Sequence, residues 1–262
     1  MSVEVKQLGI SIAGKSIVQD VDLHIGDGER VGLIGSSGSG KSMISKAMLG
    51  LLPMIAKTSG SVMLGDTQVV GADGTVLAGL RGRYVGAVFQ NPASSLNPVL
   101  TVGKQVELPL KLHYDLDKAD RQARVSGMLE KVGLDETTAK KYPSELSGGQ
   151  QQRVGIATAL ITSPRLIIAD EPTTALDSIT QRQIVDLLVS LVDKSGASML
   201  FITHDFSVLA RATTRCYVLD DGRIIESGNT SDLLDNPQSR QTKKLVGAAR
   251  ELTLQRKQDC DD

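Results

Sequence analysis

Cysteine is almost missing from this sequence. The 262 residues include two, Cys216 and Cys260. Two cannot supply a four-thiolate cluster, and nothing suggests a disulfide framework. A buried thiol at Cys216 and a tail thiol at Cys260 are the expected states. An excess of either charge is missing as well. Lys and Arg number 29 against 30 Asp and Glu, a net charge of −1, which argues against a nucleic-acid partner. No apolar run approaches the roughly 20 residues that span a bilayer. Met1–Lys6 lacks the basic-then-apolar pattern of a leader. The chain is expected in the cytosol, held at a membrane only through another chain. No internal repeat is visible. With 40% hydrophobic and 23% charged residues, the composition is that of an ordinary globular protein of one or two domains.

What is present centres on residues 35–42: Gly35, Ser36, Ser37, Gly38, Ser39, Gly40, Lys41, Ser42. They fit G-x-x-x-x-G-K-[ST], between an apolar run (Val31–Ile34) that reads as a strand and a segment (Met43–Leu49) that reads as a helix. That is the context a phosphate-cradling P-loop needs. Glycines let backbone N–H groups turn inward, and the helix N-terminus adds donors and a positive dipole end. Lys41 would reach β- and γ-phosphates, and the Ser42 hydroxyl would ligate Mg²⁺.

Before the P-loop, Val3–Ser11 and Ile17–Ile25 alternate apolar and polar residues and predict an antiparallel pair. After it, Pro53 and Gly60 predict a break, and 61–64 with 67–70 a hairpin around Gly65-Asp66. Tyr84–Phe89 predicts a strand ending at Gln90. Residues 91–98 read as loop. Helices are expected over 102–114, with Pro109 as a possible interruption, over 117–132 and over 150–162, the last capped by Ser147. Residues 95–155 thus predict an inserted helical subdomain. Arg165–Asp170 reads as a strand buried on both faces. Asp177 is expected to cap a helix over 178–194, with Ile184, Leu187, Leu188 and Leu191 on its buried face. Met199–Thr203 predicts a strand, 215–220 with 223–226 a hairpin, and 231–235 and 240–254 helices. The end, 255–262, reads as loose.

Strands alternating with helices predict an α/β fold: a P-loop NTPase core with a mostly parallel sheet, an N-terminal antiparallel β subdomain and the helical insert. The expected divisions are 1–94 with 156–230 as core, 95–155 as the helical subdomain and 231–262 as a helical tail. The P-loop, Gln90, Asp170-Glu171 and His204 all fall at C-terminal ends of predicted strands, where ligands bind in open α/β sheets.

Asp170 fits the Mg²⁺-holding acid of P-loop NTPases. Glu171 could accept a proton from an attacking water; capping the next turn is the plainer role for one of the two acids. His204 could bond a γ-phosphate or that water, or simply lie on the surface. His24 and His113 read as structural or solvated. Gln90 alone would mean nothing. Leu146-Ser147-Gly148-Gly149-Gln150 opens a helix with glycines that allow an anion to approach closely. A chain with one phosphate cradle needs no second for the same nucleotide, so this one would cover the nucleotide of a second subunit; a Ser-capped helix is the plainer reading.

In combination and order these segments resemble the ATP-binding subunit of an ABC transporter over nearly the whole chain: P-loop, Q-loop Gln90, signature 146–150, Walker B strand 166–170, Glu171, D-loop Ala175-Leu176-Asp177 and switch His204. The resemblance implies a head-to-tail dimer, with each ATP between the P-loop of one subunit and the signature of the other. Lys41 and Ser42 would bind phosphate and Mg²⁺ with help from Gln90 and Asp170. Glu171 would polarise the water, His204 would sense the γ-phosphate, and Ser147 and Gly149 would touch the partner's ATP. Residues 89–98, 170–177 and 236–245 further resemble importers of the dipeptide/oligopeptide/nickel group. Gln241 stands where that group usually has tyrosine. The missing cysteines and early end resemble its short nickel- or dipeptide-type members. Such a subunit would lie at the cytoplasmic face of the cell membrane. It would pair with a second ATPase subunit, usually a different sister chain, under two permease subunits served by an external solute-binding protein. At the position matching the family's adenine-stacking aromatic stands Ile12, which by the resemblance implies reduced base discrimination. A DNA-repair type would need a far longer coiled-coil insert, a translation type two cassettes, and a non-hydrolysing regulator would not need Glu171 and His204.

Overall fold

The computed structural model describes residues 3–174 and 176–258, with side chains through 250. In chain order the elements are β1 (Val3–Ile12), β2 (Lys15–Ile25), β3 (Arg30–Gly35), α1 (Lys41–Met48), β4 (Ala56–Leu64), β5 (Thr67–Gln68), α2 (Gly74–Leu80), β6 (Val85–Val88), α3 (Pro92–Ser95), α4 (Val102–His113), α5 (Lys118–Lys131), α6 (Gly148–Leu160), β7 (Leu166–Asp170), α7 (Ser178–Ser195), β8 (Ser198–Thr203), α8 (Phe206–Ala212), β9 (Arg215–Asp220), β10 (Arg223–Asn229), α9 (Thr230–Asp235) and α10 (Arg240–Gln258). The chain divides into two compact units, cut between Asp73 and Gly74 and again, within β8, between Met199 and Leu200.

In the first unit, β2-β1-β4-β5 form an antiparallel sheet. Val3 and Val5 are buried, then Leu8 and Ile10, so the inward set changes parity in mid-strand. A bulge causes the change. The β1–β4 register slips between Lys6 and Gly9, Gln7 has φ 49° and Gly60 φ 78°. A Cβ on Gly60 would lie 2.3 Å from the Gln7 carbonyl oxygen. Gly60 therefore does not break the chain as expected; it lets β4 run on past the bulge.

The other strands of this unit lie in the order β10-β9-β3-β8. β3 is parallel to β9, and β9 is antiparallel to β10. Val31, Leu33 and Ile34 of β3 are fully buried. The unexpected α8 packs on this strand: a Cβ on Gly32 would meet Leu209 Cδ1 at 2.5 Å. At the tail, Glu226 of β10 accepts hydrogen bonds from the backbone N–H groups of Gln238 and Ser239 at 2.8 and 2.9 Å, which anchors the start of α10. That helix runs to Gln258, beyond the expected limit at 254; 259–262 lie outside the described residues.

In the second unit, β6 and β7 pair in parallel. Every residue of β7 is buried, as its unbroken apolar run requires. A Cβ on Gly86 would stand 2.3 Å from the Ala159 carbonyl oxygen, so this glycine lets α6 press against β6. Around α6, Val106 and Leu110 of α4 and Leu129 of α5 are fully buried. α4 continues through Pro109; burial on both sides of the proline outweighs the one hydrogen bond it removes. The segment 91–98, expected as loop, contains the one-turn α3. On α7 the buried side chains are Ile184, Val185, Leu188 and Val192. Leu187 and Leu191 are only half-buried, so the buried face is rotated from the expected one. The expected insert 95–155 lies inside this unit.

Candidate nucleotide site

The P-loop joins β3 to α1 in the first unit. Gly38 and Gly40 have φ 81° and 108°, values that suit glycine alone. No side chain caps α1, whose N-cap is Gly40 itself. Lys41 is buried and donates to the carbonyls of Gly35 and Ser36 at 2.8 and 2.9 Å. Ser42 is exposed on the first turn. The Ser39 hydroxyl is buried without a hydrogen-bond partner. The loop is braced from outside: the Gly222 N–H, in the β9–β10 turn, donates to the Ser39 carbonyl at 3.0 Å. A Cβ on Gly35 would lie 2.2 Å from the Leu219 carbonyl oxygen. In the same unit His204 follows β8 and is exposed. Its neighbour Asp205 caps α8, accepting from the Ser207 N–H at 2.8 Å and hydroxyl at 2.6 Å. Ile12, the last residue of β1, is half-exposed and pairs with Lys15 and Ala56.

The second unit brings three of the expected residues together at the ends of β6 and β7. Asp170 is the buried last residue of β7. Glu171 follows with φ 47°, a left-handed conformation that costs a glutamate about 1 kcal/mol or more and that clusters at working sites. Its Oε2 accepts from the Gln90 amide at 3.3 Å and from the Thr174 hydroxyl at 2.9 Å.

A separate hollow of about 350 Å³ in this unit joins Ser147, Gly148, Gly149 and Gln150 to Asp177 and Thr180. Ser147 accepts from the Gln150 N–H at 3.3 Å, and the Gln150 side chain accepts from the Ser147 N–H at 3.0 Å, a reciprocal cap that fixes the start of α6. Asp177 caps α7, accepting from the N–H groups of Ile179 and Thr180 at 3.1 and 3.0 Å. The Thr180 hydroxyl, then these backbone donors, hold its carboxyl below the usual range. Gly149 leaves room for Thr180, whose Cγ2 would be 2.8 Å from an added Cβ. Ala175 of the D-loop lies outside the described residues.

Residues 18–174 match the ABC transporter family model. The chain belongs to the ABC transporter family. Among relatives of this ABC ATPase, the oligopeptide transport ATP-binding protein OppD of Lactococcus lactis is 38% identical over 250 residues, 93% of this chain and 74% of the relative. A putative peptide import ATP-binding protein of Brucella ovis is 42% identical over 238 residues, 87% of this chain and 70% of the relative. The ATP-binding cassette MJ0796, in a dimeric post-hydrolysis state bound to ADP and Pi, superposes with TM-score 0.78 at 34% identity, covering 87% of this chain and 98% of that one. CbiO1 of Clostridium perfringens, part of the transporter complex cbiONQ, gives 0.79 at 27% identity, covering 89% and 90%.

Some residues of the cassette escape sequence reading. Thr174 gains meaning only from its contact with Glu171. Arg153 also lines the signature hollow and donates to the Val132 carbonyl at 2.6 Å; from sequence it is one arginine on a helix. No described helix is long and apolar enough to cross a membrane.

Proposed function

We propose that this ABC cassette is the ATP-hydrolysing subunit of a peptide importer. The observation that carries the catalytic part is the Glu171 carboxylate, set directly after the buried Asp170 and held by Gln90 and Thr174. Family membership makes the nucleotide ATP. Lys41 and the P-loop N–H groups would hold the phosphates of the nucleotide, the lysine supplying a cation and the amides further donors. Glu171 orients the attacking water and takes its proton, and His204 senses the γ-phosphate. The family resemblance assigns Mg²⁺ to Ser42, Gln90 and Asp170, whose hydroxyl, amide and carboxylate oxygens are the hard donors that ion takes. When bound, Mg²⁺ neutralises phosphate charge. Ser147–Gln150 and Asp177 face the ATP of a partner subunit.

The relatives named for oligopeptide transport and peptide import support peptides as cargo; nickel is the secondary reading. Permease chains would hold this subunit at the cytoplasmic face of the membrane, with an external binding protein supplying solute. A hollow of about 580 Å³ has a mostly apolar lining that includes Ala78, Leu108, Pro109 and Leu112, beside Arg81 and His113. Leu112 is 68% exposed there, and we assign this hollow to a permease segment.

The test has two arms. Glu171→Gln keeps ATP affinity and lowers steady hydrolysis at least about a hundredfold, since it removes the proton acceptor at constant shape. Undiminished turnover refutes the base assignment. The intact chain co-purifies with polytopic membrane chains, and Leu112→Asp weakens that recovery without changing ATP affinity. Recovery of the chain alone or only with soluble partners refutes the importer reading.

A further inference from the structure

We infer that Thr174 is the positioning residue that holds the Glu171 carboxylate in its working orientation; the inference rests on the reading of Glu171 as general base. A glutamate has three side-chain torsions, and nothing in its chemistry aims its oxygens. Here two features restrict it. The first is the backbone: Glu171 sits at φ 47°, and the chain turns back on itself so that the Thr174 N–H approaches the Glu171 carbonyl at 3.4 Å. The second is the side chain: the turn returns the Thr174 hydroxyl to Oε2 at 2.9 Å, the same oxygen that accepts from the Gln90 amide at 3.3 Å.

The two donors differ in kind. Gln90 comes from the end of β6 and its contact is the longer one. Thr174 belongs to the same turn as Glu171, so its hydroxyl stays near the carboxylate whatever Gln90 does. The turn is itself anchored: the Gln181 amide, on α7, donates to the Thr173 hydroxyl at 3.2 Å, and the Leu176 N–H donates to the Thr173 carbonyl at 3.1 Å. Thr174 therefore presents its hydroxyl from a fixed base. A donor that acts on the carboxylate, and through it on the reaction, is a positioning residue rather than a catalytic one.

Two substitutions test this. Thr174→Val keeps the shape and deletes the donor; Thr174→Ser keeps the donor and deletes a methyl. Thr174→Val is expected to lower kcat for ATP about tenfold, the scale of one hydrogen bond to a charged group, with KM within about twofold. Thr174→Ser is expected to restore most of the rate. Thermal midpoints of both should match the parent, which separates positioning from folding. A Thr174→Val protein turning over at the parent rate overturns the inference. So does Ser failing as badly as Val, or a loss confined to KM. If Glu171→Gln still hydrolyses ATP, the base reading fails first. If Glu171→Gln is inactive and Thr174→Val is normal, only the role of Thr174 falls.

Discussion

The resemblance to the ABC family assigns the grip on the base to a single residue, Ile12. The phosphate end is built from rigid parts: glycines at positive φ, a buried lysine, a loop braced by Gly222. Ile12, the residue proposed to meet the base, is half-exposed at the end of β1. An isoleucine offers apolar area without a π-face, so it gains nothing from the ring of one purine over another. ATP and GTP should therefore bind within about tenfold of each other. Ile12→Tyr should tighten both nucleotides by about two- to tenfold, the worth of one aromatic contact, because every base offers a π-face. Competition binding of the two nucleotides measures both; a strong ATP preference in the unaltered protein would refute the role given to Ile12. The P-loop, the Asp170-Glu171 pair and the two caps Ser147 and Asp177 were legible from sequence because each is local: a few neighbouring residues make its geometry. Thr174 was not, since a threonine after a turn acquires a role only when its hydroxyl meets a carboxylate.

At the level of elements, what reads well is what periodicity controls. β7 is apolar from Leu166 to Ala169 and buried throughout. The antiparallel pair β1–β2 was visible in its alternation, yet its change of parity was not, because a bulge is a matter of pairing between strands. Gly60 shows the limit. A glycine after a proline reads as punctuation, whereas here it carries β4 past the bulged Gln7. α8 was missed, and the face of α7 was misjudged because its apolar residues nearly encircle it. Gly60→Ala places a Cβ against the Gln7 and Lys6 carbonyl oxygens, at 2.3 and 2.4 Å, in a backbone with φ 78°. Backbone cannot yield as a side-chain tip does. The expected loss is about 2–4 kcal/mol, read as a lower urea midpoint with an unchanged m-value. A loss below about 0.5 kcal/mol would mean that the bulge relaxes.

At the level of the whole molecule, the signature is the part that one chain does not explain by itself. Its hollow is walled by two capped helix starts, Ser147 on α6 and Asp177 on α7. A head-to-tail dimer makes a sharp forecast. Lys41→Ala removes the P-loop cation; Ser147→Arg fills the signature hollow. Each protein alone should be inactive, because every shared site has one damaged half. Mixed, half of the dimers pair one chain of each kind, and in those dimers one site takes an intact P-loop from the Ser147→Arg chain and an intact signature from the Lys41→Ala chain. The mixture should recover about a quarter of the wild-type rate if the two sites work independently. If P-loop and signature of the same chain served one nucleotide, both sites of the mixed dimer would be broken and no activity would return. A chain that acts only with a different sister subunit would show no recovery and no activity of the unaltered protein alone, so the wild-type rate measured beside the mixture separates the two outcomes.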